Sequence, residues 1–394
     1  MSHTNLTVYG ATWCGDCKRA KKFLGEQRVH YEWVDVEQDA AGLALVERLN
    51  HGKRIIPTIV FHDDESHLVE PSNAELAAKL GLQTKARLDY YDLICIGGGP
   101  ASLTAALYAA REGLDVLVIE KSGLGGQAGV TERLDNFPGF PDGIGGGEFA
   151  DRLTTQARRF GVELLQAQEV IGLRQEEESK YVSTADGHEY GARAVLIATG
   201  STYKRLAVPG EDELIGAGVH FCATCDGPFY KGEHVAVIGG GNSAGEESLF
   251  LTRFAGKVTL LVRGPQMTAS QIVIDKVNAN DKIEVRYHTE VTELHGEAKL
   301  SGLTVRDRLS GATEVIHPRG AFVFIGLSPN SGWLPPQVQR DAHGFIITRP
   351  NLETNMAGVF AAGDVRLGST KQAASAAGEG ATAALMVREY LKTI

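Results

Sequence analysis

Residues 91–120 read YDLICIGGGPASLTAALYAAREGLDVLVIE, and the order of residue types in them decides the fold. Tyr91 to Ile96 is an apolar run of strand length, and Val116 to Glu120 is a second one. Between them Gly97-Gly-Gly-Pro-Ala-Ser102 forms a turn, and Leu103 to Gly113 is expected to be helical. Gly97 permits the tight turn, and Gly99 lets the backbone approach a pyrophosphate. The helix N-terminus then supplies amides and a partial positive charge. Glu120, closing the second strand, can accept ribose hydroxyls. Ser102 stands where a third glycine is usual, which predicts slightly looser helix–strand packing.

The same pattern returns at residues 234–263, HVAVIGGGNSAGEESLFLTRFAGKVTLLVR. Gly239, Gly241 and Ala244 occupy the turn, but the second strand ends in Arg263 with no carboxylate. An arginine there can meet a 2′-phosphate, which favours NADPH, with NADH the other candidate. Between the two turns lies His220-Phe-Cys222-Ala-Thr-Cys225-Asp226. Two cysteines one helical turn apart can close and reopen a disulfide, and an adjacent carboxylate can move the proton that exchange requires. As a plain solvated residue Asp226 would do none of this. Hydride chemistry beside dithiol chemistry needs a two-electron mediator, and flavin is one.

The remaining composition sets limits. Of 394 residues 47 are glycine, against a usual share of roughly 7 per cent. They cluster at 97–99, 125–126, 145–147 and 239–241, and the last-but-one cluster has no assigned ligand. With 39 basic and 49 acidic residues the net charge is −10, which argues against nucleic acid or an anionic membrane as partner. No apolar run reaches transmembrane length, and the opening MSHTNLTVYG lacks a signal-peptide core, so the cytoplasm is expected. Four of the five cysteines form the pairs Cys14/Cys17 and Cys222/Cys225; Cys95, inside an apolar run, reads as a buried strand residue. Metal ligation is not expected, because a structural zinc site needs four ligands and neither pair has a partner nearby. Glu176-Glu177-Glu178 reads as a solvated turn.

Upstream, the order strand (5–10), helix (18–27), strand (31–36), helix (40–49), strand (55–61), strand (67–69) and helix from Pro71-Ser72-Asn73 makes a complete small domain. Residues 82–90 are then a polar connector, at most ~30 Å when extended and able to swing. Near the end, Ala362-Gly-Asp364-Val365 is a strand end in which Asp364 can bind a ribitol chain.

Residues 90–394 resemble the low-molecular-weight thioredoxin reductases. The segments that carry this are Gly97–Ser102, Gly125-Gly126-Gln127, Asn136-Phe-Pro-Gly139, Ala198-Thr199-Gly200 and Phe221–Pro228. Gly239–Ala244, Ala362–Val365 and Lys371-Gln372-Ala373 complete them. The resemblance implies an α/β chain with two Rossmann-like dinucleotide-binding domains of the pyridine nucleotide-disulfide oxidoreductase type, and a homodimer. An FAD domain (91–205 and 324–394) would be split by an NAD(P)H domain (206–323) carrying the redox pair. FAD would rest on Gly97, Gly99, Pro100, Ala101, Ser102, Glu120, Lys121, Gly126, Gln127, Asn136, Thr199, Gly200, Asp364, Lys371, Gln372 and Ala373. The nicotinamide cofactor would rest on Gly239, Gly241, Asn242, Ser243, Ala244 and Arg263. Cys225 would face the flavin, Cys222 would attack the outgoing disulfide, and Asp226 would be the acid/base. Where the family has His-Arg-Arg and a further Arg, this chain has Val262-Arg263-Gly264 and Thr268.

Residues 1–81 are similar to glutaredoxins, especially the mycoredoxin group, which implies a thioredoxin-like fold. Cys14 would be the nucleophile, Cys17 the resolving thiol, and Trp13, Ile56 and Pro57 the substrate contacts, with a cis-proline at Pro57. Asp16 should oppose a thiolate at Cys14, and Pro71-Ser-Asn-Ala-Glu75 replaces the Gly-Gly-x-Asp stretch of glutathione binders. The combined expectation is an NADPH-dependent FAD enzyme. Electrons would pass through Cys222–Cys225 to Cys14–Cys17, then to a thioredoxin-like protein or a small disulfide. Two alternatives stay open, a peroxiredoxin reductase of the alkyl hydroperoxide reductase type and a flavin redox sensor that does not turn over. The second has no use for both Cys222 and Cys225.

Overall fold

The computed structural model describes residues 6–394 other than Glu132 and Asp135, with the side chains of Thr224 and Cys225 outside the described set. The first elements are β1 (Leu6–Gly10), α1 (Gly15–Glu26), β2 (Glu32–Asp35), α2 (Ala40–Leu49), β3 (Thr58–Phe61), β4 (Ser66–Val69) and α3 (Asn73–Lys79). They occur in the expected order and build a four-stranded sheet, β2-β1-β3-β4, with β1 and β2 parallel and the other pairs antiparallel. α1 starts earlier than the helix formers alone predict, because Cys14 acts as its N-cap and accepts the Cys17 amide at 3.1 Å. Its buried face, Cys17, Ala20, Phe23 and Leu24, recurs at helical spacing; the last three pack on Leu6, Val8, Ile59 and Leu76, and Cys17 on Ala11, Val36 and Val46. α3 opens on a capping box in which Ser72 and Glu75 exchange side-chain and backbone bonds. β3 is shorter than expected, beginning only after Pro57, which has no N–H for the ladder.

By its internal contacts the chain divides into two compact units, Met1–Val130 with Gly145–Gly200 and Asn330–Ile394, and Thr131–Ile144 with Ser201–Pro329. In the first unit β5 (Tyr90–Ile96), α4 (Pro100–Arg111) and β6 (Val116–Ile119) belong to a seven-stranded sheet. There β5 lies parallel to β6 on one side and to the strand Glu189–Ile197 on the other. Cys95 is fully buried in β5, as its apolar neighbours predict. The helix Ala373–Leu391 packs against α4, and Gly380 makes this close: a Cβ there would stand 2.1 Å from the Ala101 carbonyl oxygen. The second unit holds a parallel five-stranded sheet, in which the strand His234–Ile238 lies between Gly320–Val323 and Lys257–Leu261. A three-stranded antiparallel sheet (289–296, 300–307 and 313–316) accompanies it. No helix among the described residues is long and apolar enough to cross a membrane.

Within the first unit the connector is not the swinging tether that its polarity predicts. The Gln83 carbonyl accepts the Gln166 amide at 2.9 Å. Buried Glu163 accepts from the Gln83 side chain, from the Arg87 amide at 2.7 Å and from the Tyr91 hydroxyl at 2.7 Å. The end of α1 is fastened too. Val29 N–H donates to Leu24 and Arg28 N–H to Gly25, a Schellman ending that places Arg28 at φ 55°, where glycine is usual. From there the Arg28 guanidinium donates to the Leu124 carbonyl and to Asp151, both at 2.8 Å. Added Cβ atoms at Gly125, Gly129 and Gly147 would come within 3.1–3.4 Å of the Arg28 side chain. Gly147, in the cluster that no ligand explained, thus borders this arginine. Arg28→Asp and Asp151→Arg should each loosen the contact, and the double variant should regain about 0.5–1 kcal/mol of coupling in thermal unfolding. Strictly additive effects would mean that the ion pair does not hold this edge.

Candidate active site

At the end of β5 the backbone turns sharply. Gly97 has φ 104°, and a Cβ on it would lie 2.4 Å from the Ala198 carbonyl oxygen, so no other residue fits. α4 follows with Gly99 as N-cap and Pro100 at its first position, and no side chain among the described residues caps it. Its first amides are therefore free to meet an anion. A Cβ on Gly99 would point into open space, whereas Ser102 is fully buried. Glu120 does more than await a ribose: it accepts Gly98 N–H at 2.5 Å and both the amide and hydroxyl of Ser122. Lys121 beside it is exposed. Gly125 N–H donates to the Gly98 carbonyl at 2.7 Å, bringing the second glycine turn, Gly126 and Gln127 to the first.

Asp364 approaches the same place, since Gly363 packs on Ala101. It is largely buried, burial holds its carboxyl above the usual carboxylate range, and its Oδ1 finds no partner among the described residues. A buried acceptor left open is what a hydroxyl-bearing chain would satisfy. Lys371 donates from Nζ to the Asp364 carbonyl at 2.7 Å, and Gln372 and Ala373 begin the long helix. Two supports were not visible in the sequence. Asn330 clamps Thr199 in both directions at 2.8 Å, and the Arg366–Glu379 pair holds the Gly363 amide. Asn136 belongs to the second unit.

In the second unit Gly239 repeats the geometry of Gly97, with φ 149° and a virtual Cβ 2.3 Å from the Phe324 carbonyl oxygen. The helix Asn242–Leu251 starts on Gly241, again without a side-chain cap among the described residues. Asn242 Oδ1 accepts Ser270 N–H at 2.7 Å and Thr268 N–H donates to Gly240, so the 268–270 loop borders the turn. Ser243 and Arg263 are exposed, while Ala244 is buried. Arg308 donates to the Arg263 carbonyl at 3.3 Å, adding a second guanidinium where sequence reading found one. Cys222 is half-buried and disulfide-bonded, and its carbonyl accepts Asp226 N–H at 3.1 Å. The Cys225 side chain lies outside the described residues. His220, which sequence reading passed over, places Nδ1 3.4 Å from an Asp226 carboxylate oxygen.

The N-terminal pair is asymmetric. Cys14 sits at the N-cap of α1 with Trp13 exposed beside it, and its thiol points toward the Ile56 carbonyl at 3.7 Å. The Ile56–Pro57 peptide is cis. Cys17 is deeper, packed where a Cβ on Gly10 would strike its sulfur at 2.7 Å. Burial, with the Cys14 contact adding to it, pushes the Cys17 thiol up to about 12. Asp16, expected to oppose a thiolate, is bound to Arg19 at 3.0 Å, which offsets its charge.

Residues 91–380 match the family model described as pyridine nucleotide-disulphide oxidoreductase, and residues 6–66 match that of glutaredoxin. The chain therefore belongs to the pyridine nucleotide-disulphide oxidoreductase family, with a glutaredoxin domain ahead of it. The thioredoxin reductase of Streptomyces clavuligerus is 42% identical over 308 residues, 78% of this chain and 95% of that protein. The bifunctional thioredoxin reductase/thioredoxin of Mycobacterium leprae is 43% identical over 302 residues, 76% of this chain and 66% of its own length. The crystal structure of the Streptococcus pyogenes thioredoxin reductase matches with TM-score 0.73 at 38% identity, covering 78% of this chain and 99% of its own. Within its family the protein is a disulfide oxidoreductase of the thioredoxin reductase type.

The buried thiol gives a direct test. With its ionisation pushed up to about 12, Cys17 should stay protonated from pH 7 to 9, so iodoacetamide should modify Cys14 and spare Cys17 in peptide mass analysis of the reduced protein. Equal labelling of both at pH 8 would contradict the assigned asymmetry. The raised value also disfavours the folded state at high pH, since the unfolded thiol ionises near its ordinary pKa. Cys17→Ala should therefore flatten any stability loss above about pH 9.

Proposed function

We propose that the chain is an NADPH-dependent FAD enzyme that reduces disulfides through its own glutaredoxin-like domain. In this reading residues 1–81 are the shuttle, 91–205 with 324–394 hold FAD, and 206–323 hold the nicotinamide cofactor and the second redox pair. The observation that carries it is the presence in one chain of two Cys-x-x-Cys pairs and two glycine-built helix starts that no side chain among the described residues caps. The open α4 amides, the space over Gly99 and the unsatisfied Asp364 oxygen suit a pyrophosphate and a polyhydroxyl chain. Arg263 and Arg308 suit a 2′-phosphate, which favours NADPH over NADH. When bound, the flavin would supply the two-electron link between a hydride donor and a disulfide.

The chain's own residues then handle thiols and protons. Cys222 attacks an incoming disulfide, Cys225 resolves, and Asp226 takes and returns a proton. Cys14 receives the exchange from outside and Cys17, kept as a thiol by burial, closes the second disulfide. The terminal acceptor is a thioredoxin-like protein or a small disulfide. A relative named as a bifunctional thioredoxin reductase/thioredoxin offers a parallel for a reductase fused to its carrier.

Two substitutions test this. Cys14→Ser should keep NADPH-dependent reduction of 5,5′-dithiobis(2-nitrobenzoate) while reduction of oxidised thioredoxin-like acceptors falls to background. Undiminished acceptor turnover would sink the relay. Arg263→Ala combined with Arg308→Ala should raise the NADPH KM by roughly tenfold, the effect of losing charge-assisted phosphate contacts, and leave the NADH KM nearly unchanged. Equal changes for both cofactors would remove the 2′-phosphate role.

A further inference from the structure

His220 ends a two-residue strand, Val219–His220, that pairs in parallel with Ala321 and Phe322. It is buried, and its two ring nitrogens face different groups. Nε2 is 2.6 Å from the Tyr230 hydroxyl, and Nδ1 is 3.4 Å from Asp226 Oδ2. The ring is fixed from other directions by Phe322, with centroids 5.2 Å apart, and by Tyr230 at 5.5 Å. Tyr230 is itself seated by the absence of a side chain at Gly320, where a Cβ would lie 2.5 Å from Tyr230 Cζ. The sequence thus spends a glycine, a tyrosine and a histidine on one line of polar atoms ending at Asp226.

We propose that His220 is a positioning residue for Asp226, matching either protonation state of its carboxyl; this rests on the acid/base role proposed for Asp226. Exchange turns the enzyme's dithiol into a disulfide and the acceptor's disulfide into two thiols. Two protons must therefore follow two electrons out of the enzyme, and Asp226 is protonated for only part of the cycle. A half-buried carboxyl with a fixed donor beside it would be matched in one state and mismatched in the other, at about 1 kcal/mol or more. Imidazole avoids this. Facing a carboxylate, it presents Nδ1–H and accepts the Tyr230 O–H at Nε2. Facing a carboxylic acid, it accepts at Nδ1 and presents Nε2–H to the tyrosine oxygen. The hydroxyl can rotate to serve both. Closing the gap from 3.4 Å to a normal hydrogen bond needs a movement of about 0.5 Å.

The two ring nitrogens can be separated by substitution. An asparagine side chain reaches about as far as Nδ1 and can turn donor or acceptor to Asp226, whereas glutamine reaches toward Tyr230 instead. Full-length holoenzyme carrying Cys14→Ser, so that Cys14 cannot react with the probe, is reduced with NADPH and mixed rapidly with 5,5′-dithiobis(2-nitrobenzoate). The exchange rate is read as a ratio to the rate at which NADPH bleaches the flavin absorbance. His220→Gln and His220→Leu should lower that ratio about tenfold, the equivalent of one lost buried contact, and His220→Asn should restore it to within about twofold. His220→Gln at the wild-type ratio, or His220→Asn as slow as His220→Leu, would overturn the proposal. Asp226→Asn serves as the control for the underlying reading. If that variant exchanges at the wild-type ratio, the acid/base role itself fails. If it is slow while His220→Gln is not, only the role of His220 fails.

Discussion

Both units depend on one steric constraint, a main-chain carbonyl placed where the first glycine of each turn would otherwise carry a side chain. The virtual Cβ of Gly97 is 2.4 Å from the Ala198 oxygen and that of Gly239 is 2.3 Å from the Phe324 oxygen. Parallel strands create this approach, because the neighbouring strand leaves the sheet at the same level as the turn. A chain forced to turn so sharply starts its helix at once, at Pro100 in one case and Asn242 in the other. The first amides of each helix then face the space beyond the strand ends. The position of these amides is thus set by backbone geometry before any side chain contributes. This is why Ser102 can replace a glycine within the buried packing of α4 without disturbing the turn.

A different economy governs the N-terminal sheet. Its attachment within the first unit runs through Arg28, whose left-handed conformation costs roughly 1–2 kcal/mol in a residue with a Cβ. A glycine would end α1 more comfortably, but it could not reach Leu124 and Asp151. The arginine accepts backbone strain for two charge-assisted hydrogen bonds, each worth about 1.5–3 kcal/mol where desolvated and less at this half-exposed edge. Small residues on the receiving side, Gly125 and Gly129, leave the space its side chain occupies. Glycines that read as ligand-binding turns therefore serve a protein contact as well.

The readable parts of the sequence were those in which local chemistry decides the structure. The glycine turns at 97–99 and 239–241 and the helix opening at Pro71-Ser72-Asn73 are each marked by residue types within a few positions of one another. What escaped reading depends on distant partners. Nothing local marks Glu163 as the anchor of the connector, Arg308 as a neighbour of Arg263, or Asn330 as the clamp on Thr199. Each is an ordinary polar residue whose role arises only when the sheet brings remote segments together. The connector misled for the same reason: its composition is that of a solvated tether, but its hydrogen bonds go to buried groups.

The two redox pairs face the same physical problem and meet it differently. A thiol that must ionise needs a complement for negative charge. Cys14 has one in the backbone, since it caps the 12-residue helix α1 and its sulfur receives the Cys17 amide. Cys222 has no comparable helix. The segment after it, Ala223–Asp226, is a four-residue turn of helix continuing into the short Gly227–Tyr230 segment, too brief to sum into a useful dipole. The carboxyl of Asp226 and the imidazole behind it stand where the helix is missing. This difference follows from position in the fold: Cys14 precedes a helix that spans its sheet, whereas Cys222 follows a two-residue strand and precedes a tight bend. Within that bend His220 and Tyr230 lie within eight residues of Cys222, Tyr230 folding back onto His220 and His220 onto Asp226.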